Sequence, residues 1–189
     1  MRQMETHKAS TARRPLPTRA SKGQVHAFAE HVASQLKFRP GDSLEPVIAR
    51  LGGKIAHQSS FAVGEHAPES IIVENMRAFT IYISSTTSPQ RDRFTIAHEL
   101  GHLFLHYPMV QKTYPGSTMV ATRWIDPNDA EQQRAEWEAN WFAAAFLMPA
   151  EPFRQWWIAS GKEIFVVART FGVSEQAADI RAKSLALTT

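Results

Sequence analysis

Apolar residues recur at helical intervals early in the chain. Val25, Phe28, Ala29, Val32 and Leu36 predict a helix over residues 24–38, which Pro40 and Gly41 end. Residues 43–51 predict a second, short helix, with Ser43 as its cap, Pro46 in its first turn and Gly52-Gly53 closing it. The pattern then changes to β-type runs. Residues 54–60, 70–75 and 78–84 are predicted strands, the last two forming a hairpin about residues 75–77. A loop leads to Pro89 and a helix over 94–106, stopped by Pro108. Residues 107–128, with Pro115, Gly116 and Pro127, are predicted to be irregular. Three further helical patterns follow: a long one at 129–147, one at 151–162, and a helix, turn and helix over 164–187. In the last, Gly172 marks the turn, Ser174 caps, and Ala177, Ile180 and Leu185 face inward.

Composition narrows this picture. The 189 residues suffice for one domain with a real core, and 43% apolar and 21% charged residues are ordinary for a globular chain. Cysteine is absent, which excludes disulfides, thiolate metal sites and a cysteine nucleophile. The net charge of +3 is unevenly spread. Residues 1–22 hold six basic residues against Glu5, leaving 15 basic and 17 acidic residues in the remainder. The expected organisation is a basic disordered tail over 1–22 and one folded domain over 23–189. No aromatic residue precedes Phe28, so nothing in that tail can stack on bases. There is no apolar stretch of the kind a secretory signal needs, and the longest apolar run, 141–150, is too short to span a bilayer. The expected location is cytoplasmic.

Two of the apolar helices carry polar groups that a buried helix would ordinarily avoid. His98, Glu99 and His102 form H-E-x-x-H. Residues four apart lie one turn above each other, about 6 Å between stems, a separation at which two imidazoles can share one divalent ion. Glu99 lies about 100° around the helix from His98, free to take a proton from a water on that ion. A catalytic zinc typically takes a third protein ligand. His106 lies two turns from His98, too far to share an ion easily, and a role at the helix end is expected for it. Glu136 and Asn140 share one face of the next long helix, so Glu136 is favoured as the third ligand, with Asn140 hydrogen-bonding a ligand. Glu138 points about 200° away from Glu136 and is expected to face solvent. Nitrogen and carboxylate donors without sulfur point to one Zn²⁺ ion.

"RFTIAHELGHLFLH" followed by "EWEANWFAAAFLMP" resembles the ImmA/IrrE family of bacterial and phage metallopeptidases, over roughly Val25 to Leu187. The resemblance implies a zincin-like α+β fold, with a small sheet packed on the H-E-x-x-H helix. It also implies a mostly helical C-terminal half ending in a helix-turn-helix-like segment, here 165–187. Metal would sit on His98, His102 and Glu136, with Glu99 as general base. The activity implied is zinc-dependent endopeptidase action on a protein, typically a DNA-binding repressor guarding a mobile element or stress response. Two alternatives compete with it: a non-proteolytic binding protein that keeps the metal for structure, and a DNA-binding regulator. Only Arg181 and Lys183 are basic in "SEQAADIRAKS", which weakens the latter. Core packing is expected for Trp137, Trp141, Trp156 and Trp157, and Tyr107, Tyr114 and Arg123 are candidates for stabilising an oxyanion.

Overall fold

The computed structural model describes residues 12–58 and 68–188. Its centre is a five-stranded mixed sheet in the order β1-β5-β3-β4-β2. The strands are β1 (Ala12–Arg13), β2 (Gly53–Gln58), β3 (Glu69–Asn75), β4 (Ala78–Ser84) and β5 (Thr118–Thr122). β3 pairs antiparallel with both β4 and β5, whereas β2 joins β4 and β1 joins β5 in parallel. The predicted hairpin is β3–β4. Strand 54–60 is observed through Gln58, and its last two residues lie outside the described ones. The alternation in β4 buries Phe79, Ile81 and Ile83, which meet Ile71 and Val73 of β3 in the core.

Around the sheet run α1 (Lys22–Gln35), α2 (Glu45–Arg50), α3 (Pro89–Gly101), α4 (Tyr107–Thr113), α5 (Ala130–Leu147), α6 (Ala150–Ala159), α7 (Ile164–Phe171) and α8 (Glu175–Ser184). Local chemistry explains most of the boundaries. Ser21 and Gln24 form a reciprocal capping box on α1. Ser88 caps α3 with Pro89 in its first turn, and Asp129 accepts from the Glu131 and Gln132 amides to start α5. Ser43, the expected cap of α2, instead bonds the Glu45 carboxylate, and Leu44 occupies the cap position with no side-chain bond. No helix among the described residues is long and apolar enough to cross a membrane.

Four further expectations are corrected. The first concerns the tail. Residues 1–11 lie outside the described residues, but 12–21 form an ordered strap across α5. Pro15 and Pro17 are buried, Gln132 Nε2 donates to the Pro15 carbonyl at 3.1 Å, and Arg134 donates to the Ala20 carbonyl. Three basic residues of the strap have partners: Arg13 lies 4.3 Å above the Tyr114 ring, Arg14 faces Asp129 and Arg19 pairs with Glu131. Two prolines without periodicity read as disorder, yet they suit an extended segment laid on a helix.

Second, Pro108 does not stop the helical path. A π-helical turn over His102–His106 carries it from α3 into α4, with the Tyr107 amide donating to the His102 carbonyl five residues back. The shifted hydrogen bonding accommodates a proline that lacks an amide hydrogen. Residues 107–128 consequently hold α4 and β5, not a continuous loop.

Third, Ala177 and Leu185 pack against the core as expected, but Ile180 is 57% exposed, and α8 fully buries Ala178, Arg181 and Ala182 instead. Arg181 can be buried because Met148 O and Glu30 accept its hydrogen bonds, at 2.9 and 2.8 Å. Its charge is therefore consumed inside the fold. Fourth, Trp157 is buried and Trp141 packs against the core, but Trp137 and Trp156 are exposed.

The approach of α3 to α5 sets the site. A Cβ on Gly101 would stand 3.0 Å from the Ala139 Cα and 3.2 Å from its carbonyl oxygen, so the two backbones touch where glycine leaves room. Gly101→Val is expected to destabilise the fold by about 1–3 kcal/mol through overpacking. Urea denaturation measures this; an unchanged midpoint would mean the helices can part freely.

Candidate metal centre

α3 and its π-helical continuation supply His98, Glu99, His102 and His106, and α5 supplies Glu136, Glu138 and Asn140. His98 Nε2 lies 3.2 Å from Glu136 Oε2, His102 Nε2 lies 3.2 Å from Glu136 Oε1, and the two Nε2 atoms are 3.1 Å apart. These three residues form a group able to hold a metal ion. Donors at tetrahedral corners about 2.0–2.1 Å from zinc stand roughly 3.3–3.4 Å from one another, close to this triangle. The donor chemistry fits as well. His98 Nδ1–H donates to Asn140 Oδ1 at 3.0 Å, so Nε2 is the nitrogen turned to the shared point, where a metal would displace its proton.

The electrostatics favour a cation there. Burial disfavours a charged His98, but its bond to Glu136 and the charges of Glu99 and Glu136 outweigh burial and push its pKa up to about 9. Burial also opposes ionisation of Glu136, yet His102 and His98 hold its carboxyl far below the usual range. His102 is pushed down to about 4, chiefly by burial. A field that draws a proton onto His98 will also draw a metal cation.

Glu99 is 3% exposed and accepts from Ser70 Oγ at 3.2 Å. Burial raises its pKa to about 7; the Glu136 charge adds to this, while His98, Ser70 and Arg123 oppose it. The group opens into a cleft of about 580 Å³ lined by Ser70, Phe94, Thr122, Arg123 and Asn140, together with His98, Glu99 and Glu136. Of the three oxyanion candidates, Arg123 alone lines this cleft, donating also to the Tyr82 carbonyl at 3.1 Å. Tyr107 is buried with its hydroxyl bonded to the Glu74 carbonyl, and Tyr114 lies beneath Arg13.

Two residues are placed otherwise than expected. Glu138 is fully buried, not facing solvent, because the side of α5 opposite Glu136 is covered by the N-terminal strap. It accepts from the Thr18 and Arg19 amides and the Thr18 hydroxyl, each at 2.8 Å, and from Arg134 Nε at 2.9 Å. His106 closes the π-helical turn, but the helical path runs on into α4 and does not end there. His106 is fully buried between His102, with Nδ1 to Nδ1 at 2.9 Å, and Glu138, with Nε2 to Oε2 at 3.2 Å. The repeated four-residue spacing of His98, His102 and His106 is the signal in the sequence that points to this contact.

Residues 64–183 match the model of the IrrE N-terminal-like domain, Peptidase_M78. The chain belongs to this family. No curated protein matches the sequence of this IrrE-like domain. Among solved structures it is similar to a Mycobacterium tuberculosis transcriptional regulator, with a TM-score of 0.57 and 18% identity. The similarity covers 85% of this chain and 47% of that one, so the IrrE-like domain spans about half of the regulator's length. That likeness bears on the fold, a mixed α+β arrangement with a five-stranded sheet.

Proposed function

We propose that this IrrE-like domain is a zinc-dependent endopeptidase. One observation carries the reading: three metal-competent side chains from two helices converge beside a buried carboxylate at an open cleft. His98, His102 and Glu136 would hold the ion. When bound, zinc polarises a carbonyl oxygen and acidifies a water at its open position. Glu99 takes the proton from the attacking water and delivers it to the departing amine. Ser70 orients the Glu99 carboxylate, and Asn140 keeps the His98 ring turned toward the shared point. Arg123, lining the same cleft, faces the negative charge that develops on the scissile carbonyl.

A metal kept only for structure needs no buried base and usually closes its fourth position, so Glu99 argues against a purely non-proteolytic binding protein. Burial of Arg181 and the pairing of Lys183 with Asp179 argue against DNA contact through α8. The substrate we propose is a protein, of the DNA-binding repressor class that the family resemblance indicates, in the cytoplasm. The test co-expresses the chain with a helix-turn-helix repressor from its own neighbourhood. The repressor should be shortened on a gel, and a chelator should abolish the shortening. A repressor left intact while still bound would favour the non-proteolytic reading.

A further inference from the structure

The requirement for a metal-facing lone pair extends deeper than the three converging side chains. Glu138 and His106 are fully buried polar residues that take no part in the chemistry above, and both are expensive to bury. We propose that they form a positioning pair that sets the ring tautomer of His102, and that the N-terminal strap locks this pair in place. The inference rests on the reading of His102 as a metal ligand.

The hydrogens along this line can be placed one by one. Glu138 accepts from two backbone amides, one hydroxyl and one guanidinium, all donors, so it is an ionised acceptor. Arg134 supplies its counter-charge at 2.9 Å. The His106 Nε2 that faces Glu138 at 3.2 Å must therefore carry a hydrogen. On the other side, two Nδ1 atoms meet at 2.9 Å, so one of them carries a hydrogen and the other is bare. Were the hydrogen on His106, His102 would have to accept it, and its own hydrogen would sit on Nε2, blocking the lone pair toward Glu136 and His98. With the hydrogen on His102 Nδ1, His106 is a neutral ring that accepts, and His102 Nε2 is bare. The line Glu138, His106, His102 thus orients a metal-facing nitrogen from a carboxylate two residues along α5 from Glu136.

The strap gives this line its anchor. The Thr18 and Arg19 amides grip separate oxygens of Glu138, Oε2 and Oε1, fixing the carboxylate plane. Arg134 ties the same carboxylate to the Ala20 carbonyl. The segment that resembles a solvated tail in sequence is therefore connected to the metal centre through three consecutive hydrogen-bonded side chains.

The experiment uses the full chain. Long-range ¹H–¹⁵N spectra of the imidazole rings, recorded metal-free and with added zinc, should show hydrogen on His102 Nδ1 and on His106 Nε2. A hydrogen on His106 Nδ1 overturns the proposal, and because the spectrum is read without metal, the result stands even if zinc never binds. Zinc affinity by chelator competition should fall about 10–100-fold in His106→Phe, the range typical for losing an outer partner of a metal ligand. His106→Gln, whose amide oxygen can accept from His102 while its nitrogen donates to Glu138, should restore affinity to within about threefold. A folded His106→Phe that binds zinc like the wild type sinks the idea. If that variant does not fold, the spectrum of the unmodified chain decides. A wild type that binds no zinc at all refutes the metal reading and leaves the tautomer assignment to stand or fall by the spectrum.

Discussion

Glu99→Gln is expected to leave the zinc content of the purified chain unchanged and to lower peptide-bond cleavage about 10²–10⁴-fold, the contribution typical of a positioned general base. Glutamine keeps the shape and can still accept from Ser70, but it cannot take a proton. The same substitution should make the metal-free fold more stable at neutral pH. Glu99 has its pKa raised from 4.5 to about 7 by burial, so the folded state holds its proton more tightly than the unfolded one. Its contribution to stability is intact below about pH 4.5 and is lost as pH rises through about 7. Glu99→Gln removes that loss, a gain on the order of 1–3 kcal/mol at pH 8 that vanishes in acid. Denaturant titrations of both chains at pH 4 and pH 8, in chelator, measure it. Cleavage at the native rate by the variant removes Glu99 from the chemistry; equal stabilities at pH 8 would mean its carboxylate is solvated.

The second large effect belongs to Glu136. Glu136→Ala removes the only carboxylate of the converging group and the partner that raises His98. Zinc at about a hundred times its Kd should stabilise the wild type by about 2.7 kcal/mol, because it binds the folded state alone. The variant should show no measurable shift at the same concentration and no cleavage, with its circular dichroism unchanged, since Glu136 is partly exposed and, among the described residues, pairs only with the two histidines. Zinc protecting the variant as well as the wild type would move the ion elsewhere.

Much of the local architecture is legible in the chain itself. The β3–β4 hairpin declares itself through its runs of Ile and Val about Asn75–Arg77. The two long apolar helices do so through their period, and their chemistry through His98, Glu99 and His102 standing where apolar residues are due. Pairs four apart lie on one helical face by geometry alone, so spacing is enough to place Asn140 with Glu136.

Other features are decided by what packs against what. Glu138 and Glu136 lie on nearly opposite faces of α5, and helical periodicity says only that they diverge. That Glu138 is buried and Glu136 meets the histidines at the cleft follows from the strap on one side and α3 on the other. Arg181 reads as a surface charge in sequence, but Glu30 and the Met148 carbonyl, far away along the chain, supply its buried partners. Pro108 reads as a terminator because a sequence does not reveal a π-helical turn that absorbs it. Spacing along one helix is a local property, fixed by backbone geometry. The burial of a charge depends on the donors and acceptors that distant segments bring to it, and only the assembled fold specifies those.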